Sequence, residues 1–224
     1  MPTSSRQTNK PAATGPYTEI YLIRHGHPDY TQKNIVGDKA MPLSKLGQQQ
    51  SRLLRKRLLK VDPQIIYSSN LQRAQETAAI ATRDFHHRIN INKNLNEFDW
   101  TEWQKIKYFN VQENNRHRTM HSYRRLDKQL DKVQTKMRRE LAKLWRRHRN
   151  KKIAVFCHGN MIRAMLTSII NADVIGFLSM EIYESSVSKV AIDKDGFIKV
   201  NYINSIRHLP HKPDEDIFRA SIND

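Results

Sequence analysis

The 224-residue chain predicts an α/β fold, a three-layer α/β/α sandwich around a mostly parallel central sheet. Three observations predict it. The apolar runs Ile20-Tyr21-Leu22-Ile23, Ile65-Ile66-Tyr67 and Ile153-Ala154-Val155-Phe156 are too short for helices and read as strands buried on both faces. Segments with apolar residues three and four apart lie between them. No internal repeat and no second domain boundary interrupts the alternation, so one sheet with helices on both faces accounts for the ordered chain.

Taken in order, residues 1–16 are rich in Pro, Ser, Thr and Gly without an apolar period and are expected to form a disordered tail ahead of a single domain over 17–224. They hold no apolar run of the secretory kind, so a cytoplasmic location is expected. After the first strand, Ser44 can cap a helix running to Lys60, ended at Asp62-Pro63. Asn70 can cap the next, with Leu71, Ala74, Ala78, Ala81 and Phe85 on one face. The stretch from Ile89 to Leu95 alternates and reads as a third strand. A long helix follows, marked by Tyr123, Leu126, Leu130, Val133, Met137, Leu141, Leu144 and His148. After the Ile153 strand a helix is expected from about Met161. Two last strands flank Asp195-Gly196 as an antiparallel hairpin.

Composition narrows function by exclusion. One cysteine, Cys157, rules out a disulfide framework and a cysteine-rich zinc site, and reads as a small buried strand residue. No apolar run approaches the roughly 20 residues that span a bilayer, so integral membrane association is not expected. The net charge of +17 points to anionic partners. Most of it lies between Arg116 and Lys152, which hold 15 Lys and Arg against Asp127, Asp131 and Glu140. The helix over 122–149 therefore has a basic outer face, either simply solvated or suited to non-specific polyanion binding. His117 and His121 sit four apart, but Arg118 stands where a metalloprotease helix carries glutamate, so they read as surface residues and no metal site is expected.

The chemistry lies just past the strands. Arg24-His25-Gly26 follows the first, Ser68-Ser69 with Arg73 the second, Glu97 the third segment, and His158-Gly159 the fourth. Ligands of open α/β sheets bind beyond the carboxyl ends of the strands. Two histidines, two arginines and a carboxylate at one sheet edge suit phosphoryl transfer through a histidine nucleophile. Neighbouring cations would keep His25 neutral and nucleophilic and would stabilise the phosphoryl oxygens without a metal or other cofactor. Glu97 would then protonate the leaving alcohol, although Asp99 and Glu102 are nearby carboxylates.

Across roughly residues 18–210 the sequence resembles the histidine phosphatase superfamily, in the phosphoglycerate mutase-like branch. The likeness rests on Leu22-Ile23-Arg24-His25-Gly26, on Pro42-Leu43-Ser44-Lys45-Leu46-Gly47 with Gln50, and on Tyr67-Ser68-Ser69-Asn70-Leu71-Gln72-Arg73-Ala74 with Glu76-Thr77-Ala78. It continues through Leu95-Asn96-Glu97, His158-Gly159 with Ile162-Arg163-Ala164, Ser186-Val187-Ser188, and Asn204 to Leu209. The resemblance implies a phosphoglycerate mutase-like fold. It implies His25 as a phosphohistidine nucleophile, Glu97 as proton donor, and Arg24, Arg73 and His158 around the phosphoryl group. By position it implies substrate contacts from Arg24, Thr31, Arg73, His158, Gly159 and Asn160.

The chain departs from that pattern at Pro28 and Thr31, where threonine and asparagine are usual, at Thr101 and Trp103-Gln104-Lys105 after the acid, at Asn160, and at Glu184. Only 60 residues separate Glu97 from His158, and Phe98-Asp99-Trp100 replaces the mutase Arg-His-Tyr, so phosphomonoester hydrolysis is expected over mutase-type transfer. The alternatives are that transfer, or a weakly active phosphatase-fold protein that binds polyanions. The substrate class is a phosphorylated small molecule or a phosphoprotein.

Overall fold

In the computed structural model the described residues are 17–98 and 116–210, with side chains described from 126 onward in the second span. Six strands form one mixed sheet in the order β3-β2-β4-β1-β5-β6. β1 (Thr18–Arg24), β4 (Lys152–Cys157), β2 (Ile65–Ser68) and β3 (Ile89–Ile91) run parallel to one another. β5 (Val187–Ile192) and β6 (Ile198–Ser205) add an antiparallel edge.

Strand alternation sorts the core into two halves. Ile20, Leu22, Ile153, Val155 and Cys157 point to the face covered by α4 (Arg116–Arg147), α5 (Gly159–Ile170) and α6 (Val174–Leu178). Tyr21, Ile23, Ile66, Ala154 and Phe156 point to the face covered by α2 (Lys45–Val61) and α3 (Gln72–Ala81). That gives the three expected layers. Cys157 is fully buried, and burial raises its thiol pKa, so it stays protonated and packs as a small apolar residue.

The expected long helix is α4, which buries Leu126, Leu130, Met137, Leu141 and Leu144. Its cations Lys128, Lys132, Lys136, Arg139, Lys143 and Arg146 are exposed, as packing of the opposite face on the sheet requires. The expectations for residues 1–16, for Asp99, Thr101 and Glu102, and for the side chains of His117 and His121 lie outside the described residues. No helix among the described residues is long and apolar enough to cross a membrane.

Ser44 caps α2 by accepting the Gly47 N–H at 3.1 Å, and Asp62, at φ +55°, closes it in the left-handed region. Two local expectations are corrected. Asn70 does not cap α3: the cap position is Leu71, one residue later, with no side-chain bond, and the Asn70 N–H donates to Asn96 Oδ1 at 3.0 Å. β3 ends at Ile91, because Asn92 accepts the Asn94 N–H and turns the chain into a 3₁₀ turn over Lys93–Leu95.

Candidate active site

Parallel register aligns the site. Arg24 pairs with Cys157 across β1 and β4, and Ser68 pairs with Phe156 across β2 and β4. His25, His158 and Ser69 therefore leave three adjacent strands at one edge. The imidazoles of His25 and His158 lie 5.0 Å apart between centroids.

A hydrogen bond to a carbonyl assigns the His25 tautomer. His25 Nδ1 lies 2.7 Å from the Gly26 carbonyl, which can only accept, so Nδ1 carries the proton. Nε2 is left with a lone pair, which accepts Arg73 Nε–H at 3.3 Å. Ser69 Oγ accepts the Leu71 N–H at 3.3 Å and lies 2.8 Å from His158 Nε2. His158 Nδ1 is a buried atom with no hydrogen-bond partner among the described residues. Burial lowers the pKa of both rings well below the ordinary histidine value; His158, Arg24 and Arg73 add to this at His25, and Arg73 and Arg24 at His158. Both are neutral at pH 7.

The cations are held from the far edge of the sheet. Arg24 Nη1 donates to Ile182 O at 2.8 Å, and Nη2 lies 3.6 Å from Oε1 of the fully buried Glu184. Asn204, at φ +54°, accepts the Tyr183 N–H at 2.6 Å and so fixes the segment carrying both partners. Ser185 donates its N–H to the His25 carbonyl at 3.0 Å, and its hydroxyl meets His208 Nε2 at 3.2 Å. Asn204 and His208 are what the Asn204–Leu209 block contributes, and the Ser186 block adds the Ser186 carbonyl, which accepts the Arg24 N–H at 3.2 Å.

The Pro42-Leu43-Ser44 block clamps the loop after His25. Ser44 N–H donates to His27 O at 3.0 Å, and Gln50 Oε1 accepts the His27 N–H at 2.8 Å. The approach is close enough that a Cβ on Gly47 would stand 2.1 Å from His27 O, and one on Gly26 2.7 Å from Gly47 O. Only glycine lets these two backbones touch.

Glu97 completes the edge. Its Oε1 accepts the Phe98 N–H at 3.2 Å and Oε2 the Asn160 N–H at 3.3 Å, at the first turn of α5. The residue keeps partial exposure at the cavity, but the protein around its carboxyl removes enough water to push the pKa up to about 7, against those N–H groups and the pull of Arg24 and Arg73. A carboxyl with that value can both give and take a proton near neutrality.

A cavity of about 180 Å³ is lined by these residues. Arg24, His25, Arg73, Glu97, Gly159 and Asn160 are on its wall, while His158 is fully buried against His25. Thr31 is exposed and is not on this wall; Asp29 accepts both its N–H, at 3.2 Å, and its hydroxyl, at 2.6 Å. Tyr30 lines the cavity instead. Sequence reasoning gave no role to Arg163, which lines the cavity and donates to Asn160 Oδ1 at 2.9 Å. Its spacing of three from Asn160 and four from Gly159 puts it on the same helix face and was the available signal. Asp38, in the loop over 29–40 that the sequence places at the mouth of the pocket, lines the cavity and meets Arg73. Among the described residues, no group of three or more His, Cys, Asp and Glu is placed to hold a metal ion.

The family model for the histidine phosphatase superfamily (branch 1) matches residues 20–205. A Bacillus subtilis protein named as an uncharacterized phosphatase, PhoE, is 27% identical over 157 residues, covering 70% of this chain and 79% of that protein. The solved structure of Bacillus stearothermophilus YhfR superposes with a TM-score of 0.67 at 22% identity, covering 85% of this chain and 98% of that one. A phosphoserine phosphatase from Entamoeba histolytica, solved with phosphoserine, gives 0.65 at 19% identity, over 86% and 99%. At these identities the structural likeness establishes the fold.

Proposed function

Because the chain belongs to the histidine phosphatase superfamily, branch 1, we propose that it hydrolyses small phosphomonoesters through a phosphohistidine on His25, with Glu97 as proton donor. The observation that carries this reading is the His25 Nε2 lone pair, held by Arg73 in a cavity that also contains the Glu97 carboxyl. Arg24 and Arg73, on the cavity wall, receive the phosphoryl oxygens, and neutral His158 packs behind His25. The Arg73 Nε–H leaves His25 Nε2 for a phosphoryl oxygen, Nε2 attacks phosphorus, the P–O bond to the alcohol breaks, and Glu97 gives its proton to the departing oxygen. Water then attacks the phosphohistidine, Glu97 takes its proton, the P–N bond breaks, and inorganic phosphate leaves. The cavity volume supports a small ester. The short span from Glu97 to His158 supports hydrolysis over mutase-type transfer. A cytoplasmic location belongs to the same proposal.

The pH dependence tests the reading. Free enzyme must hold Glu97 protonated to begin, and its pKa of about 7 means that form is lost as pH rises. His25 has a lowered pKa, so it stays neutral far into the acid range. Phosphate release should therefore show kcat/KM falling about tenfold per pH unit above about pH 7. The second ionisation of the ester, near pH 6, acts below that limb. Glu97→Gln should erase the limb. A kcat/KM that rises through neutrality would contradict the assignment.

The exposed cations of α4 favour a second, separate reading: salt-sensitive attachment to polyanions that does not use His25. It predicts retention on heparin near physiological salt, weakened by Lys132→Gln with Lys136→Gln and unchanged by His25→Asn. Passage without retention would remove it.

A further inference from the structure

The loop between His27 and Leu43 is anchored at its ends, by buried Pro28 and Met41 and by the Asp29 N–H to Pro42 O at 2.8 Å, and is exposed in its middle. Its short turns, Tyr30–Gln32, α1 (Lys33–Val36) and Asp38–Ala40, bury no side chain. Gly37, at φ +73°, turns the chain immediately before Asp38 in a conformation that suits glycine. Asp38 nevertheless reaches the cavity wall. Its carboxylate meets the Arg73 fork through both oxygens, with Nη1–Oδ1 at 3.2 Å and Nη2–Oδ2 at 3.3 Å. Arg73 Nη1 also donates to the Asp38 carbonyl at 2.7 Å. The Arg73 side chain is 5% exposed and that of Asp38 is 57% exposed, so the arginine is fixed and the acid sits on the movable side.

Two anionic oxygens on one guanidinium fork is also how arginine holds a phosphoryl group. Asp38 and the phosphoryl group therefore compete for the Arg73 Nη donors, since Arg73 Nε–H stays on His25 Nε2 until that lone pair turns to phosphorus. We propose that Asp38 is an intramolecular competitor for the phosphoryl site: it occupies the Arg73 donors, is displaced by the phosphoryl oxygens, and returns to speed release of product phosphate. Tethered through Gly37, the displaced carboxylate stays near the cavity mouth and disfavours esters that carry a second anionic group. Displacement of the carboxylate costs little packing because the three short turns themselves bury no side chain, while Met41 holds the end of the loop. The inference rests on the phosphoryl-binding reading of Arg73 and adds to it a residue that sets product affinity and substrate charge preference.

The test compares the wild-type protein, Asp38→Asn, and Asp195→Asn, which makes the same charge change in an exposed hairpin turn. Asp38→Asn removes the charge and keeps the backbone carbonyl bond to Arg73. Calorimetric binding of inorganic phosphate should tighten about 2- to 5-fold in Asp38→Asn, the scale of a partly exposed ion pair, and stay unchanged in Asp195→Asn. KM for 3-phosphoglycerate should fall more than KM for glycerol 3-phosphate, an inequality that simple structural damage would not produce. Unchanged or weaker phosphate binding in Asp38→Asn, equal tightening in the control, or an equal KM change for both esters would overturn the proposal. If the wild type hydrolyses esters and binds phosphate while Asp38→Asn fails these criteria, only the role of Asp38 falls. If the wild type does neither, the phosphoryl-binding reading falls and the role of Asp38 falls with it.

Discussion

Replacing His25 with asparagine should lower kcat by about 10⁵-fold or more, the scale seen when a covalent nucleophile is removed. The reason is local. Nε2 of His25 is the imidazole nitrogen left unprotonated by the Gly26 carbonyl bond, and Arg73 aims at it. Asparagine offers no nucleophile but leaves Arg24 and Arg73 in place, so phosphate affinity should change far less than turnover. Steady-state phosphate release combined with calorimetry separates the two quantities. Loss of both together would mean that the substitution had disrupted the cavity. Near-normal turnover would mean that the reaction runs without a covalent intermediate on this residue.

Glu97→Gln should be the next most damaging change, and its size should depend on the leaving group. Alkyl phosphates expel a strongly basic alkoxide and need a proton from the protein, so a loss of about 10² to 10⁴-fold in kcat is expected. p-Nitrophenol leaves as a stable anion, so p-nitrophenyl phosphate should lose much less in formation of the phosphohistidine, roughly tenfold or below. Single-turnover measurement on both esters isolates that step. Equal losses on the two esters would show that Glu97 shapes the cavity and does not transfer a proton. Asn160, whose N–H holds one oxygen of Glu97 at 3.3 Å, keeps the carboxyl facing the cavity in this scheme.

The buried strands were legible because each is covered on both faces and so must be continuously apolar: Ile20–Ile23 and Ile153–Phe156 admit no other placement. Parallel neighbours then force Arg24-His25 and His158 to one edge, which is why those residues could be found from order and spacing. Contacts far apart in sequence and local side-chain bonds were not legible. Asn96 accepts the Asn70 N–H across 26 positions, and Asn92 stops β3 by bonding to its own neighbour. Thr31 followed from position in a family pattern, while Asp29 accepts its N–H and hydroxyl locally. Asp38 carries no periodic or motif signal, because an exposed loop acid meets Arg73 only after the fold has closed. The glycines of the Arg24-His25-Gly26 and Leu46-Gly47 blocks were visible as motif letters; their reason, a backbone crossing tighter than any Cβ allows, is visible only in three dimensions.

The central claim is a phosphoryl group carried on His25. The direct measurement is rapid acid-free quenching of the protein during turnover of a labelled phosphomonoester, followed by intact-mass analysis, base-stability and acid-lability assays, and peptide mapping. The account predicts one added phosphoryl group, stable in base, lost in acid, mapped to His25 and absent from His25→Asn. Turnover with no phosphorylated protein at any time, or a label that persists in His25→Asn, would contradict it.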